Sequence, residues 1–333
     1  MKKNFIILIL VIILAAVAVW VVSTNTGSTI KRELRDFAIA DTASIDKIFM
    51  VKKTNDQVTL QRTESGWTLN DKYYARNDAI QILLKTLKRV QVRNPVSVSS
   101  MDNVIKMLAT RNTKVEIYSK GKILKTIYVG GPTQDQLGTY MMLEGSSVPF
   151  IVAIPGFAGY LSSRFFTDER EWRSPIIFEY DFDNITSIKS VNNIFPDQSF
   201  MIEKKGYGFD INSLNGNIKA PAIDTMALRY YVSKFEKAAC EYFKDSMDPD
   251  LVDSLSSAVP FRVLEVSDNK GNTKTVEAHI RKAMDLFDDE GNPLEWDNER
   301  MYALIDGEIW VVIQFYVFEA MFKEFDYFFP IAR

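Results

Sequence analysis

His279 and Cys240 are the only histidine and the only cysteine in a chain of 333 residues. Together they bound the nucleophilic chemistry open to it. A Ser–His–Asp or Cys–His mechanism needs an imidazole base, and His279 would have to supply it. His279 lies in an alternating segment, Thr275 to Ile280, that predicts a β-strand, and no Gly-x-Ser-x-Gly elbow is present. A structural or surface histidine is therefore expected. Cys240 stands in Ala238-Ala239-Cys240-Glu241-Tyr242, with no histidine or second cysteine nearby to activate it. It is expected to be a small buried hydrophobe. These two counts also exclude an internal disulfide, a multi-cysteine metal site and a His-rich centre.

The stretch 285–299 carries seven acids, Asp285, Asp288, Asp289, Glu290, Glu295, Asp297 and Glu299. Clustered carboxylates suit a hard cation such as Ca²⁺. The EF-hand pattern fails, because placing Gly291 at its sixth position puts Leu286 at its first. Glu290-Gly291-Asn292-Pro293 is turn chemistry, so a solvated loop is the plainer reading. Gly130-Gly131-Pro132-Thr133 resembles a phosphate cradle only loosely. A strand runs into it where a cradle needs a helix start, which predicts a turn. Phe315, Phe318, Phe322, Phe325 and Phe329 recur at helical spacing and predict a helix that packs on the core, or an exposed partner groove. Trp67, Trp172 and Trp310 are either core residues or stacking surfaces for a ligand. No spacing selects a pair of catalytic carboxylates. Hence no residue is assigned a catalytic, cofactor-binding or metal-ligating role, no cofactor is expected, and the chain is not expected to be an enzyme.

These residues must be carried by a scaffold, and composition limits what it is. Hydrophobic residues are 47% and charged residues 25%, ordinary values for a globular chain. The net charge of −3 argues against a nucleic-acid partner. Lys2 and Lys3 precede an uncharged apolar run of 18 residues, Phe5 to Val22, with Trp20 near its far end. As a helix it would span about 27 Å at about 1.5 Å per residue, close to the bilayer core. The run is longer than the core of a cleaved signal peptide, although a weak Val-x-Ser site ends at Ser23. No cysteine follows, which excludes a lipoprotein anchor. We expect a single-pass inner-membrane anchor over 1–22 that contacts the lipid bilayer through residues 5–22, with the bulk in the periplasm. Lys31, Arg32 and Arg35 compete with Lys2 and Lys3 for the cytoplasmic side. Residues 23–43 read as a tether.

The remainder contains an internal duplication. Val58 to Arg62 and Gly66 to Asn70 match Phe200 to Lys204 and Gly208 to Asn212 at an offset of 142. Ser44-Ile45 matches Ser187-Ile188 at 143. Ile80, Leu83, Leu84 and Leu87 form one helical face, with Asn77 placed to cap it. Leu228, Tyr231, Val232 and Phe235 repeat that face at 148, after Pro221 and Asp224. Lys114 to Ile117 matches Arg262 to Glu265 at 148, Tyr140 to Gly145 matches Tyr302 to Gly307 at 162, and Phe150 to Ile154 matches Ile309 to Ile313 at 159. The fold class is α+β: an N-terminal transmembrane helix, then two tandem related units, 44–182 and 183–333, each an antiparallel sheet with packed helices.

Particular motifs carry a family resemblance. They are Ser44-Ile45-Asp46-Lys47-Ile48, Leu60-x-Arg62, Gly66-Trp67-Thr68-Leu69-Asn70, Tyr74-Ala75-Arg76, Val129-Gly130-Gly131-Pro132-Thr133, Gly138-Thr139-Tyr140-Met141 and Trp172-Arg173. Over roughly residues 30–180 the chain resembles the domain-of-unknown-function 4340 family, found in membrane-anchored proteins of Bacteroidota. A related segment occurs in the auxiliary component of gliding-motility-type ABC transporters. The resemblance implies an anchored extracytoplasmic module that serves an envelope or transport complex through envelope protein partners. It brings no catalytic residues. This chain shows one membrane segment and no preceding transporter-associated domain, unlike that auxiliary component. The function expected is a binding or scaffold module. Two alternatives stay open: a periplasmic module binding glycan, lipid or peptide in a cleft between the copies, and a carboxylate-dependent hydrolase.

Overall fold

The computed structural model describes residues 12–20, 35–215, 222–288 and 290–329. The chain divides into two compact units, Met1–Ser174 and Pro175–Arg333. The sequence-based boundary near Asp183 falls inside the second unit. The reason is a short strand, Ile176–Phe178, that pairs with Ala238–Ala239 and so commits the preceding chain to that unit. Three-residue strands leave no periodic trace in a sequence.

Residues 12–20 are helical (α1) and exposed throughout. Among the described residues no helix is long and apolar enough to cross a membrane. Lys2, Lys3, Phe5 to Val11, Val21, Val22 and most of the tether, including Lys31 and Arg32, lie outside the described residues, so the apolar run is seen only in part.

The strands of the first unit are β1 (Lys47–Lys52), β2 (Gln57–Thr63), β3 (Gly66–Leu69), β4 (Tyr73–Tyr74), β5 (Gln91–Pro95), β6 (Thr113–Ser119), β7 (Lys122–Pro132), β8 (Thr139–Leu143) and β9 (Phe150–Ala153). Among the described residues they make one antiparallel sheet in the order β4-β3-β2-β1-β6-β7-β8-β9-β5. Alternation decides its faces. Ile48, Met50, Val58, Leu60, Val115, Ile117, Met141 and Val152 all point to one core. Helix α2 (Asn77–Arg89) lays Ile80, Leu83, Leu84 and Leu87 on that core. Full burial of each such side chain is worth about 1.5–3 kcal/mol. Asp78 in its first turn and Lys88 and Arg89 in its last complement the helix dipole. The expected Asn77 cap does not form: Asn77 is the first helical residue, and Arg76 holds the cap position without a side-chain bond.

A second helix, α3 (Val98–Thr110), lies on the opposite face. Its Val104 and Leu108 pack against Tyr140, Met142 and Ile151, the residues that alternate away from the main core. A one-turn helix, α4 (Glu169–Trp172), buries Trp172, whose indole N–H donates to the Phe166 carbonyl at 2.9 Å.

The second unit has β10 (Ile176–Phe178), β11 (Ile185–Asn192), β12 (Phe200–Lys205), β13 (Gly208–Ser213), β14 (Ala238–Ala239), β15 (Tyr242–Phe243), β16 (Arg262–Asp268), β17 (Thr273–His279), β18 (Arg300–Ile305) and β19 (Ile309–Gln314). Its large antiparallel sheet runs β13-β12-β11-β16-β17-β18-β19-β15 among the described residues. The helices are α5 (Thr225–Ser233), α6 (Pro249–Ser257) and the single turn α7 (Phe315–Phe318). Asp224 caps α5 by accepting from the Met226 and Ala227 amides; Pro221 lies outside the described residues.

The core of this unit is aromatic. Phe200, Tyr231, Phe235 and Phe328 meet edge to face at centroid distances of 5.0–5.6 Å. The C-terminal phenylalanines serve this core, but not on one continuous helix as their spacing predicts. Phe315–Phe318 is a helical turn and Phe325–Phe328 a 3₁₀ turn. Between them the Met321 carbonyl accepts the Tyr231 hydroxyl at 2.9 Å. That bond takes the acceptor an uninterrupted helix would offer to Phe325.

Candidate functional site

A groove of about 670 Å³ opens on the first unit. Three cations line it, from two parts of the fold. Lys52 ends β1 and Lys53 follows it in the turn to β2, while Arg111 is the residue that ends α3. All three are exposed, and none forms an ion pair or a side-chain hydrogen bond with a described residue. One carboxylate, Glu171, shares the lining. Thr54, Tyr160, Ser162, Ser163 and Phe166 are among its other lining residues, and the Thr54 hydroxyl donates to the Asp56 carboxylate at 2.7 Å.

Gly130 and Gly131 form part of the same wall. They are not the turn that their sequence predicts. Strand β7 continues through them to Pro132, with an irregularity in its pairing to β8 between Val129 and Pro132. A bulge tolerates the proline that a regular ladder would reject. The turn comes later, where Thr133 N–H donates to the Gly138 carbonyl at 2.9 Å. Gly130 is required by packing: a Cβ there would lie 2.7 Å from Leu108 Cδ2 and 3.0 Å from the Tyr140 carbonyl.

Two smaller depressions, of about 530 and 430 Å³, meet at Arg93 on the edge strand β5. The first is mainly apolar, with Leu137, Ile154 and Phe157 in its lining. Arg93 pairs with Asp135 at 3.4 Å, both well exposed, so this contact adds little to stability.

His279 closes β17 at 4% exposure. Its ring sits 5.4 Å from that of Trp310, and its buried Nε2 has no hydrogen-bond partner. Burial lowers its pKa, which favours the neutral ring. Cys240 belongs to the aromatic core together with Ala278. Because successive strand residues face opposite sides, His279 lies on the other face from Ala278 and its core. The sheet therefore separates the single histidine from the single cysteine.

The acidic stretch is an extension of the β17–β18 hairpin. Ala283 N–H donates to the Glu295 carbonyl and Asp297 N–H to the Arg281 carbonyl. Asp288 spends its carboxylate on the turn, accepting from the Glu290 and Asn292 amides. Asp289 lies outside the described residues. Asp297 is buried, accepts from the Glu299 and Arg300 amides at 2.9 Å, and faces Arg281 Nε at 3.6 Å. Arg281 in turn reaches the Tyr242 hydroxyl at 3.3 Å. Tyr242 belongs to β15, three places from β17 in the sheet order, or roughly 14 Å at one strand spacing each. The extension must therefore lean across the sheet. No group of three or more His, Cys, Asp or Glu residues suited to a metal occurs among the described residues.

Trp67 and Trp172 are core residues at 7% and 0% exposure and offer no stacking surface. Trp310 is half-buried beside His279. The structure thus joins His279, Trp310 and the acidic stretch around one layer. Lys52, Lys53 and Arg111, which line the largest of these grooves, have no motif in the sequence: they are single cations at the ends of ordinary elements. Comparison with family models, with curated proteins and with solved structures gives no match to this chain.

Proposed function

We propose that the chain is a membrane-tethered extracytoplasmic binding or scaffold module of an envelope or transport-associated complex, built from two related units. The observation that carries this reading is α1. Each of its nine described residues is apolar and exposed, Ile12 at 59% and Trp20 at 67% among them. A helix that is apolar all round gains its stability from a non-aqueous surrounding. Lys2 and Lys3 ahead of it favour a cytoplasmic start. The family resemblance expected for residues 30–180 would imply the same placement.

The relation between the units is supported by strand order. Substituting β11, β12, β13, β16, β17, β18, β19 and β15 for β1, β2, β3, β6, β7, β8, β9 and β5 turns one sheet order into the other, apart from the extra edge strand β4. Registers agree as well. Ile48 lies between Leu60 and Ile117, and Ile188 between Ile202 and Val266. On this register Met141 corresponds to Ala303 and Gly130 to His279.

The test uses the full chain in bacterial cells. A periplasm-active reporter fused after Arg333 is expected to be active, and the protein is expected to resist alkaline extraction with its N-terminal residues intact by mass. Activity only with a cytoplasmic reporter would overturn the orientation. Release of a shortened chain into the soluble fraction would replace the anchor by a cleaved signal.

A further inference from the structure

We infer that the groove formed by Lys52, Lys53 and Arg111 is an anion site whose ligand carries a phosphate group. This rests on the binding reading above and names the ligand of that module. Some cations of the first unit have acidic partners, as Arg76 with Asp78, Lys114 with Glu116 and Arg170 with Asp168, each at 2.6 Å, while others, such as Lys85 and Lys106, stand singly on the surface among the described residues. The three in the groove form no close ion pair with a described residue, Lys52 acting on Asp168 only at longer range, and the fold gathers them around one concavity. Its volume of about 670 Å³ lies within the usual range for small-molecule sites.

Charge selects the class of ligand. Three cations against Glu171 leave an excess of two positive charges in the lining. A carboxylate ligand would balance one of them. A phosphomonoester carries about −1.5 to −2 at neutral pH and balances both. Its oxygens are acceptors only, which suits a lining of ammonium, guanidinium and hydroxyl donors. Arg111 supplies the planar fork that bridges two phosphate oxygens, and the lysines act as point charges. Gly131 and the half-buried ring of Phe166 belong to the same lining and leave room for an organic remainder.

The shared chemistry has two sources, a soluble phosphomonoester and a lipid headgroup, and two probes separate them. The full chain, held in phosphatidylcholine nanodiscs, is titrated calorimetrically with glycerol 3-phosphate and with short-chain phosphatidic acid. Short-chain phosphatidylcholine serves as the control for acyl tails. Saturable binding of either phosphomonoester is expected, weakened by about tenfold or more in the variant Lys52→Ala/Lys53→Ala/Arg111→Ala, a loss of about 1.4 kcal/mol or more. Arg93→Ala, outside the groove, should leave it unchanged. Equal binding of the two probes assigns a soluble ligand, and a clear preference for phosphatidic acid assigns a headgroup. If the triple variant melts early, Lys53→Glu alone is expected to produce the weakening. Failure of both probes to saturate, or binding by the charge variants equal to the parent, would overturn the site. That failure would leave the tethered reading intact, since the reporter fusion tests it independently.

Discussion

The imidazole of His279 and the indole of Trp310 stand 5.4 Å apart, ring centre to ring centre, with a histidine nitrogen buried and unpartnered. Such a ring resists protonation, and burial lowers its pKa accordingly. The sign of the pH effect follows. The unfolded chain takes up a proton at His279 below about pH 6.5, whereas the native chain does so only at lower pH. Its contribution is therefore fully present above about pH 6.5 and is lost as pH falls through the native value. Urea unfolding from pH 7.5 to 5 should show declining stability. His279→Phe should remove part of that slope, and an unchanged slope would show that other groups cause it.

Asp297 tests what holds the acidic extension in place. Its buried carboxylate serves two backbone amides and Arg281. Asp297→Ala leaves the two amides without their acceptor and Arg281 without its counter-charge, and breaking a buried pair in this way costs about 3–5 kcal/mol. Asp297→Asn keeps an acceptor oxygen for the amides and should cost less. Denaturant midpoints read the difference. Equal losses would mean that charge, not the hydrogen bonds, secures the segment.

Gly130 and Gly131 are adjacent and chemically identical, yet their substitutions should diverge. At Gly130 a methyl group meets Leu108 Cδ2 at 2.7 Å and backbone at 3.0 Å; at Gly131 it meets only Met107 Sδ, at 3.7 Å. Gly130→Ala should cost about 1–3 kcal/mol through overpacking beneath α3. Gly131→Ala should stay within about 0.5 kcal/mol. Thermal melts of the two variants decide the point, and similar losses would refute this packing role for Gly130.

What the sequence disclosed was periodic. The stripe Ile80, Leu83, Leu84 and Leu87 became the buried face of α2 because spacing alone selects a helix face. Strand register was harder to read. Matching Lys114 to Ile117 with Arg262 to Glu265 sets Val115 beside Val263, but the inward residues are Val115 and Leu264. One residue of slip exchanges the two faces of a strand, and short apolar runs do not betray it. Likewise, Ser44-Ile45 aligns with Ser187-Ile188 by letters, whereas the ladder sets Ile48 in the place of Ile188. The cations of the groove were invisible for a different reason. Lys52 and Arg111 are brought together by the β1–β6 pairing, in which Lys52 lies opposite Thr113. No local pattern records that contact.

The Tyr231 hydroxyl ties α5 to the C-terminal segment through the Met321 carbonyl, 2.9 Å away and buried. Tyr231→Phe preserves the ring and its edge-to-face contacts with Phe200, Phe235 and Phe328. It leaves a buried carbonyl without its donor, at a cost of about 1–3 kcal/mol. Burial also raises the Tyr231 phenol well above its ordinary pKa, whereas Lys234 lowers that of exposed Tyr230. An unfolded tyrosine ionises near pH 10, so above that pH the unfolded chain loses a proton that the native chain keeps. The stability from Tyr231 is thus complete below about pH 10 and falls as pH rises beyond it. Ultraviolet titration should show Tyr230 ionising in the native protein and Tyr231 only on unfolding. In Tyr231→Phe the native titration should be unchanged while the unfolding step loses one phenolate. A full complement of phenolates in the folded variant-free chain would contradict the buried bond.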